Sequence, residues 1–270
     1  MFVEINGKKI EIAAVAAAPT AFDFRKNDKD GIVILNGYQI DSDRALSDGD
    51  TLCVIPKGVM PARGELETML AARHSPGVHS RMKAGRIAVA GLGGVGSHAA
   101  VSLARMGVGK LLLVDFDIVE PSNLNRQHYS ISHLGMYKTR ALKNQITGIN
   151  PYINTQICDI KIGADNAAEV FSGWPIVIEA FDNPVCKAAL IEALLAAGDT
   201  KIISASGLAG LGPSNDIRTT RRLENLYLCG DQESEASEGA GLMAPRVAIC
   251  AGHQANLAVR LLMEYDETRT

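Results

Sequence analysis

The sequence predicts an α/β protein with a mostly parallel sheet and helices on both faces, preceded by a small α+β domain. Three observations lead to this class. Strand and helix patterns alternate from residue 86 onward, a glycine-rich turn follows the first strand of that series, and residues 1–58 show short strands joined by hairpin turns. Alternating strands and helices are typical of a parallel sheet that binds ligands at the carboxyl ends of its strands.

Residues 1–58 predict the small α+β domain. Two short alternating strands flank Asn6-Gly7, a dipeptide that is typical of a two-residue hairpin turn. One helix, interrupted early by Pro19, and two further strands are expected after this hairpin. The expected elements are strands at 2–5, 9–12, 32–35 and 51–55, and a helix within 14–28.

A boundary follows, where Pro56, Gly58 and Pro61 interrupt the pattern. Residues 59–80 are therefore predicted to be a linker with a connecting helix at 65–73, and residues 81–270 to form the large domain. In that domain we expect strands at 87–90, 111–114, 176–180 and 201–204, and helices at 97–106, 138–149, 185–197 and 247–265.

The composition argues against several classes of protein. The 270 residues carry a net charge of −3, so no basic excess indicates nucleic acid or an anionic membrane as a partner. No apolar run reaches the roughly 18 residues of a membrane span, and no signal peptide is apparent. Five scattered cysteines fit reduced thiols in the cytoplasm, and without a Cys-x-x-Cys pair we expect no zinc.

The glycine-rich turn carries the first functional signal. Gly91, Gly93 and Gly96 form G-x-G-x-x-G between a predicted strand and a predicted helix, and Gly94 and Ser97 belong to the same loop. Such a loop is typical of a Rossmann-like domain, because glycines permit a tight turn and the helix N-terminus attracts phosphate. The alternative is that the glycines only permit tight helix–sheet packing.

Charged residues after the later strands narrow the choice of nucleotide. Asp115 ends the next strand, where an acidic residue can bind ribose hydroxyls, and Arg126 lies in the polar loop that follows. Lys138 opens a helix, and Asp182 ends another strand, where a carboxylate can hold a Mg²⁺ that bridges phosphates. Taken singly, Lys138 could be a solvated lysine and Asp182 a helix N-cap. Together these residues favour a nucleoside triphosphate.

These motifs resemble those of the ThiF/MoeB/HesA family, the bacterial relatives of ubiquitin-activating enzymes. The resemblance covers about residues 70–265 and includes the SNLNRQ stretch at 122–127 and the GLMAP stretch at 241–245. It implies an adenylyltransferase that uses ATP and Mg²⁺ to activate the C-terminal glycine carboxylate of a ThiS-like sulfur-carrier protein. The implied setting is thiamin thiazole or related sulfur-transfer biosynthesis.

The resemblance also implies roles for individual residues. The glycine loop would cradle ATP, Asp115 would bind the ribose beside Asp117, Asp182 would bind Mg²⁺, and an arginine from the partner subunit of a homodimer would reach the phosphates. Arg73 is the expected match for that arginine. The residues expected to hold phosphates and stabilise charge at the α-phosphate are Asn123, Arg126, Gln127 and Lys138.

Two departures from the family pattern shape the expected chemistry. The family's pairs of zinc-binding cysteines are missing, since Cys229 stands alone. Ser237 occupies the position where relatives that form a covalent sulfur link have a cysteine. A serine cannot form a persulfide, so we expect adenylation without a covalent intermediate and a separate protein as sulfur donor. Cys229 is the alternative nucleophile, or a passive small apolar residue. The acidic stretch 231–238 is expected to be a solvated loop.

The first 58 residues resemble ThiS itself, a ubiquitin-like β-grasp fold. A carrier ends in a free Gly-Gly, whereas this chain continues through residues 57–60, so we expect a fused docking or regulatory module. A cleavable carrier is the alternative. For the whole chain, two other functions stay open: an NAD- or FAD-dependent oxidoreductase, and a non-catalytic nucleotide-binding protein.

Overall fold

The computed structural model describes residues 1–12, 19–25, 30–74, 77–238 and 240–264. The chain forms two compact units, Met1–Ser80 and Arg81–Thr270. Much of the helix predicted within 14–28 lies outside the described residues. Its described part contains a short 3₁₀ helix at Ala21–Arg25.

The first unit contains a five-stranded sheet in the order β2-β1-β5-β3-β4. Asn6 and Asn36 have φ angles of 47° and 52° and each precedes a glycine of positive φ, which is the geometry of a two-residue hairpin turn. Of the five strands, only β4 was not predicted. The strands are β1 (Phe2–Ile5), β2 (Lys8–Glu11), β3 (Ile32–Leu35), β4 (Tyr38–Gln39) and β5 (Thr51–Ile55).

Both faces of this sheet are covered by apolar contacts. Val3, Val33 and Leu52 belong to a buried core on one face. On the other, Met69 packs against Ile34 and Cys53. Met69 belongs to helix α1 (Arg63–Ala71), which begins and ends two residues before the predicted connecting helix. An ion pair of 2.9 Å between Lys8 Nζ and Glu65 Oε1 also ties this helix to the sheet.

The second unit alternates strands and helices, as predicted. Helix α2 (Val78–Ala84), which was not predicted, spans the division between the units. The remaining elements are β6 (Arg86–Ala90), α3 (Gly94–Arg105), β7 (Lys110–Val114), α4 (Lys138–Ile149), β8 (Asn154–Cys158), α5 (Ala167–Val170), β9 (Ile176–Glu179), α6 (Pro184–Ala197), β10 (Lys201–Ala205), β11 (Arg218–Leu223), β12 (Leu226–Gly230) and α7 (Ala244–Leu262).

These strands form a seven-stranded sheet in the order β11-β12-β10-β9-β6-β7-β8. Six strands are parallel and β11 is antiparallel to β12 at the edge. The chain moves outward from β6 through β7 and β8, then returns to β9 and proceeds the other way. The order therefore reverses between β6 and β9, and in such sheets the ligand binds at this switch point.

Alternate residues of the parallel strands supply cores on both faces of the sheet. Ala88, Leu112 and Val177 lie in a buried cluster with Phe171, beside α5, and Leu190 of α6. Helices α3 and α7 pack together on the opposite face. The α/β class with helices on both faces is thereby confirmed. Within the described residues, no helix has both the length and the apolar character that crossing a membrane demands.

Candidate active site

The glycine loop between β6 and α3 is set by close packing. Gly91 has a φ of +87°, and a Cβ there would lie 2.9 Å from the carbonyl oxygen of Ala180. A Cβ at Gly96 would lie 1.8 Å from the carbonyl oxygen of Gly91, and one at Gly94 would lie 2.7 Å from Val247 Cγ1. At Gly93 the nearest atom, Gln127 Nε2, would be 3.8 Å away. Packing therefore requires three of these glycines, whereas Gly93 leaves open space.

That open space belongs to a cavity of about 710 Å³ at the switch point between β6 and β9. Its size falls in the range that is usual for small-molecule and cofactor sites. The cavity brings together residues from the ends of several strands and from the loops that follow them. The predicted site residues that line it are Gly91, Gly93, Gly94, Asp115, Asp117, Arg126, Gln127, Lys138 and Asp182.

Asp115 lies at the floor of the cavity, where its carboxylate accepts two backbone hydrogen bonds. The N–H of Leu92 donates to Oδ2 at 2.7 Å, and the N–H of Asp117 donates to Oδ1 at 2.9 Å. Burial raises the pKa of Asp115 above its ordinary value, against the opposing effect of the Lys138 charge and these donors. Each carboxylate oxygen retains acceptor capacity for a further hydrogen bond. The carboxylate thus joins the glycine loop to β7 and can still accept from a ligand hydroxyl.

Lys138 is a buried cation beside this carboxylate. Its side chain is only 8% exposed, and Nζ donates to Asp117 Oδ2 at 2.9 Å. The backbone N–H of Lys138 also donates to the carbonyl oxygen of Asp117, at 2.9 Å, as α4 begins. The alternative of a solvated surface lysine is therefore wrong.

Arg126 and Gln127 present unmet hydrogen-bonding groups. Arg126 Nη1 donates to Asn125 Oδ1 at 2.9 Å and to the Ser122 carbonyl oxygen at 3.3 Å. Arg126 Nε and Gln127 Oε1 are both buried and have no partner among the residues that the structure describes. Buried polar atoms are normally satisfied, so a donor and an acceptor left over beside a cavity fit a polar ligand such as ATP.

Asp182 follows β9 and is exposed at the mouth of the cavity. It is not the N-cap of α6, because Asn183 Oδ1 fills that role and accepts from the N–H groups of Val185 and Cys186 at 2.9 and 3.0 Å. Within the described ranges, no cluster of three or more His, Cys, Asp or Glu side chains could hold a metal. Mg²⁺ commonly binds through one or two carboxylates plus substrate phosphates, so a single aspartate fits a metal that arrives with ATP.

Three of the predicted site residues, Gly96, Ser97 and Asn123, do not line the cavity. Gly96 permits the close approach of the loop. Ser97 is fully buried, donates to the Gly94 carbonyl oxygen at 3.4 Å and accepts from the His128 N–H at 3.0 Å. Asn123 Oδ1 accepts from the Glu120 N–H at 3.0 Å. Direct contact of these residues with a nucleotide stays a prediction.

Arg73 belongs to the first unit. Its side chain is exposed, and Nη2 donates to Gln39 Oε1 at 2.6 Å. The role expected for it, at the phosphates of a partner subunit, also stays a prediction.

The sequence reasoning missed a buried ion pair beside the cavity. Glu179, the last residue of β9, is fully buried and pairs with Lys187, which lines the cavity from α6. Ser204 Oγ donates to Glu179 Oε2 at 2.6 Å. The available signal was a single carboxylate in an otherwise apolar strand, followed eight positions later by a lysine.

The segment after β12 differs in part from expectation. Asp231 was expected to begin a solvated loop, but its side chain is only 12% exposed and pairs with the buried Arg246. Burial raises the pKa of Asp231, but hydrogen bonds from Ser234 and Glu233 and the charge of Arg246 outweigh it, and the net shift is downward. The residues that follow this ion pair, Ser234, Glu235 and Ala236, line the cavity.

Neither Cys229, the alternative nucleophile, nor Ser237, which replaces the family's cysteine, belongs to the cavity lining. Cys229 is fully buried, with its sulfur 3.6 Å from Thr219 Oγ1. Ser237 is exposed and forms an isolated antiparallel bridge with Ala240. The passive interpretation of Cys229 agrees with its burial.

Comparison with known proteins places the chain in a family. The ThiF family matches residues 67–270, and the ThiS-like ubiquitin family matches residues 1–58. The molybdopterin-synthase adenylyltransferase of Salmonella typhimurium is 31% identical over 192 residues, which cover 69% of this chain and 76% of that protein. The adenylyltransferase and sulfurtransferase UBA4 of Saccharomyces cerevisiae is 35% identical over 133 residues, which cover 49% of this chain and only 30% of that protein.

Solved structures show the same fold. The E. coli tRNA N6-threonylcarbamoyladenosine dehydratase TcdA, in complex with ATP, matches with a TM-score of 0.68 at 22% identity, over 78% of this chain and all of that chain. Its complex with AMP matches with a TM-score of 0.67 at 24% identity, over 77% of this chain and 98% of that chain. From the extent of the family match, this chain belongs to the ThiF family and has a ThiS-like domain in residues 1–58.

Proposed function

We propose that this protein adenylylates the C-terminal glycine carboxylate of a ThiS-like sulfur carrier at the expense of ATP. The observation that carries the proposal is the single cavity that collects the glycine loop, Arg126, Lys138 and Asp182 at the switch point. Membership of the ThiF family and relatives named adenylyltransferases support the same reaction. The two cations and the family favour it over the oxidoreductase alternative.

The chemistry needs charge compensation and alignment more than proton transfer. A carboxylate is already ionised at neutral pH, so its oxygen can attack the α-phosphorus without a general base. The attack forms an acyl-adenylate and releases pyrophosphate. Because both reactants are anions, fixed cations must offset their repulsion and hold them in line. Arg126 and Lys138 are the cations that we assign to this task on the nucleotide side of the cavity.

The remaining residues would position ATP. The ribose hydroxyls would donate to Asp115, whose carboxylate is already fixed by two backbone donors. The phosphates would lie over Gly93, where the absence of a Cβ leaves room. Asp182 would hold Mg²⁺, which neutralises phosphate charge when bound.

Several finer features belong to the same proposal. We infer a cytoplasmic homodimer in which Arg73 of one subunit serves the phosphates of the other, and a role in thiamin or related sulfur-transfer biosynthesis. We also infer a separate sulfur donor and no covalent link to the carrier, since Ser237 stands where relatives that form such a link have a cysteine. The absence of zinc stays a prediction.

The ThiS-like domain is proposed to be a docking or regulatory module instead of the substrate. Its last strand, β5, is followed by α1, whose Met69 packs onto Ile34 and Cys53 of the same sheet. The chain after β5 is therefore folded onto the domain, whereas a carrier must present a slim free tail. In this proposal residues 1–58 are the module, 59–80 the linker and 81–270 the adenylation domain.

Exchange of radiolabelled pyrophosphate into ATP tests the proposal. We expect exchange that depends on Mg²⁺ and on a ThiS-like carrier ending in Gly-Gly, and none with the same carrier lacking its last two glycines. Absence of exchange with every carrier would indicate a non-catalytic nucleotide-binding protein. Tight NAD(H) binding without any effect of ATP–Mg²⁺ would indicate the oxidoreductase instead.

A further inference from the structure

The buried pair of Glu179 and Lys187 lies at the carboxyl end of β9, where Glu179 pairs with Ala90 of β6 and Lys187 lines the cavity. Glu179 ends β9, and its carboxylate is fully buried between the neighbouring strands β6 and β10. Oε1 accepts from the Phe181 N–H at 2.7 Å, and Oε2 accepts from Ser204 Oγ at 2.6 Å and from Lys187 Nζ. A buried carboxylate is costly unless it is paired and hydrogen-bonded, and this one is both.

The ammonium of Lys187 makes two hydrogen bonds and has capacity for a third. Its ammonium donates to Glu179 Oε2 and to the Ala205 carbonyl oxygen, the latter at 3.0 Å. An ammonium has three N–H donors, so these two contacts leave one donor without a partner among the described residues. The side chain is 23% exposed and lines the cavity. The third donor is therefore available to a ligand there.

The position of Lys187 in its helix is unfavourable on electrostatic grounds. It lies in the first turn of α6, where the positive end of the helix dipole disfavours a cation. The N–H groups of that turn are already capped by Asn183. Glu179 offsets the cost of holding the ammonium there. A residue that opposes a local preference and is fixed by a dedicated partner is typical of a functional site.

The walls of the cavity suggest which anion this ammonium meets. The glycine loop follows β6, and Arg126 and Lys138 follow β7. Lys187 belongs to α6, which follows β9 on the other side of the switch point, and it contacts Ala205 at the end of β10. If the glycine loop, Arg126 and Lys138 hold the phosphates, with Asp182 at their Mg²⁺, the ammonium of Lys187 is left for the group that attacks them. In the reaction proposed above, that group is a carboxylate.

We propose that Lys187 binds the terminal carboxylate of the acyl substrate and that Glu179 is the positioning residue that aims it. This inference rests on the proposed adenylylation and names the group that receives the second substrate. One oxygen of the carboxylate would accept from Lys187 while the other attacks the α-phosphorus. The ammonium keeps its protons throughout, and pyrophosphate is the leaving group.

The experiment measures binding of a ThiS-like carrier ending in Gly-Gly, either with its free carboxylate or as the C-terminal amide. Titration is done in the presence of Mg²⁺ and α,β-methylene-ATP, which prevents reaction. We expect the wild type to prefer the free carboxylate by about tenfold or more, the scale of a hydrogen bond to a charged group. Lys187→Met should reduce this preference to about one while ATP binding is unchanged.

Two further variants separate positioning from folding. Lys187→Met leaves Glu179 buried without its cation. We therefore expect Glu179→Gln/Lys187→Met, which removes both charges, to fold normally and also to lack the preference. Glu179→Gln alone should raise the KM for the carrier more than it lowers kcat, since the ammonium remains but is no longer aimed. Lys201→Met is the matched control, because Lys201 Nζ donates to Asn225 Oδ1 at 2.6 Å and the residue does not line the cavity.

The two proposals fail by different results. An undiminished preference for the free carboxylate in Lys187→Met and in the double variant would overturn the role of Lys187, even if exchange proceeds. A wild type that binds both forms of the carrier equally would overturn it as well. Carrier binding with the expected preference, but no exchange with ATP, would overturn the adenylylation and leave the carboxylate site standing.

Discussion

Two alanine substitutions in the glycine loop should have opposite effects, because the loop meets different surroundings at each position. At Gly96 a Cβ would lie 1.8 Å from the Gly91 carbonyl oxygen and 3.2 Å from Val89 Cγ1. The loop and α3 would have to separate by about 1.7 Å, the gap between this distance and a normal contact of about 3.5 Å. At Gly93 the new methyl group would meet only Gln127 Nε2, at 3.8 Å, and would project beside the cavity.

The magnitudes follow from these distances. Overpacking against the Gly91 backbone and the Val89 side chain places Gly96→Ala at the upper end of the usual cost, about 3 kcal/mol. For a unit of this size that corresponds to a fall in Tm of about 6–12 °C. Gly93→Ala should leave Tm within about 2 °C, since no folded contact is disturbed and the unfolded chain is slightly restricted. It should nevertheless weaken ATP binding by about tenfold or more, because the methyl group occupies the approach of the phosphates.

Thermal unfolding by circular dichroism and calorimetric titration with ATP–Mg²⁺ measure the two effects separately. Wild type and Gly148→Ala serve as references for folding, the latter because Gly148 lies in α4 and a Cβ there meets nothing within 4 Å. Normal ATP affinity in Gly93→Ala would refute the assignment of this surface to phosphate. A Gly96→Ala protein as stable as the wild type would refute the packing argument.

Three further predictions concern single side chains of the same site. Arg126→Ala and Lys138→Met should each lower the pyrophosphate-exchange rate by about 100-fold without loss of folding. Lys143→Met, on the exposed face of α4, should exchange at the wild-type rate. Equal exchange rates in all three variants would contradict the assignment of Arg126 and Lys138 to the phosphates. Asp182→Asn should raise the Mg²⁺ concentration needed for half-maximal exchange. Its Tm should stay unchanged, because Asp182 is exposed and α6 is capped by Asn183. An unaltered Mg²⁺ dependence would count against a role of Asp182 in binding the metal. Burial, together with His128, lowers the pKa of His98, so the folded protein favours its neutral form and the unfolded chain binds more protons. The contribution of His98 to the free energy of unfolding should therefore be fully present above the ordinary histidine pKa of about 6.5 and fall as the pH drops below it. In His98→Gln, the free energy of unfolding by urea should depend less on pH in this range. A pH dependence identical to that of the wild type would show that His98 does not contribute.

The sequence predicted those parts of the fold that a local pattern specifies. The strands β6, β7, β9 and β10 are predominantly apolar, as expected of strands that are buried on both faces. The strands β8, β11 and β12 were missed. Edge strand β11 is RTTRRL and β8 is NTQIC, and both are too polar to be predicted as buried strands. β8 pairs with β7, which is distant in sequence, whereas β11 pairs with β12, the next strand in the chain.

The residues of the candidate site likewise divide into those that a local sequence pattern identifies and those that it does not. The loop glycines, Asp115, Lys138 and Asp182 could be chosen because each follows a strand end, and the topology of a parallel sheet brings such ends together. Glu179 and Lys187 could not be paired in this way, since the depth of the carboxylate depends on β10 and its Ser204. The burial of Asp231 with Arg246 likewise depends on where α7 begins.

In the proposed reaction a carrier's terminal carboxylate is joined to AMP in this cavity. Intact mass spectrometry of a Gly-Gly-ended ThiS-like carrier, incubated with the enzyme, ATP–Mg²⁺ and pyrophosphatase, detects this product. We expect one added adenylyl group on the C-terminal glycine, formed by the wild type and by Lys143→Met but not by Arg126→Ala. A carrier that stays unmodified with the wild type, or one that carries the group on a side chain instead, would contradict it.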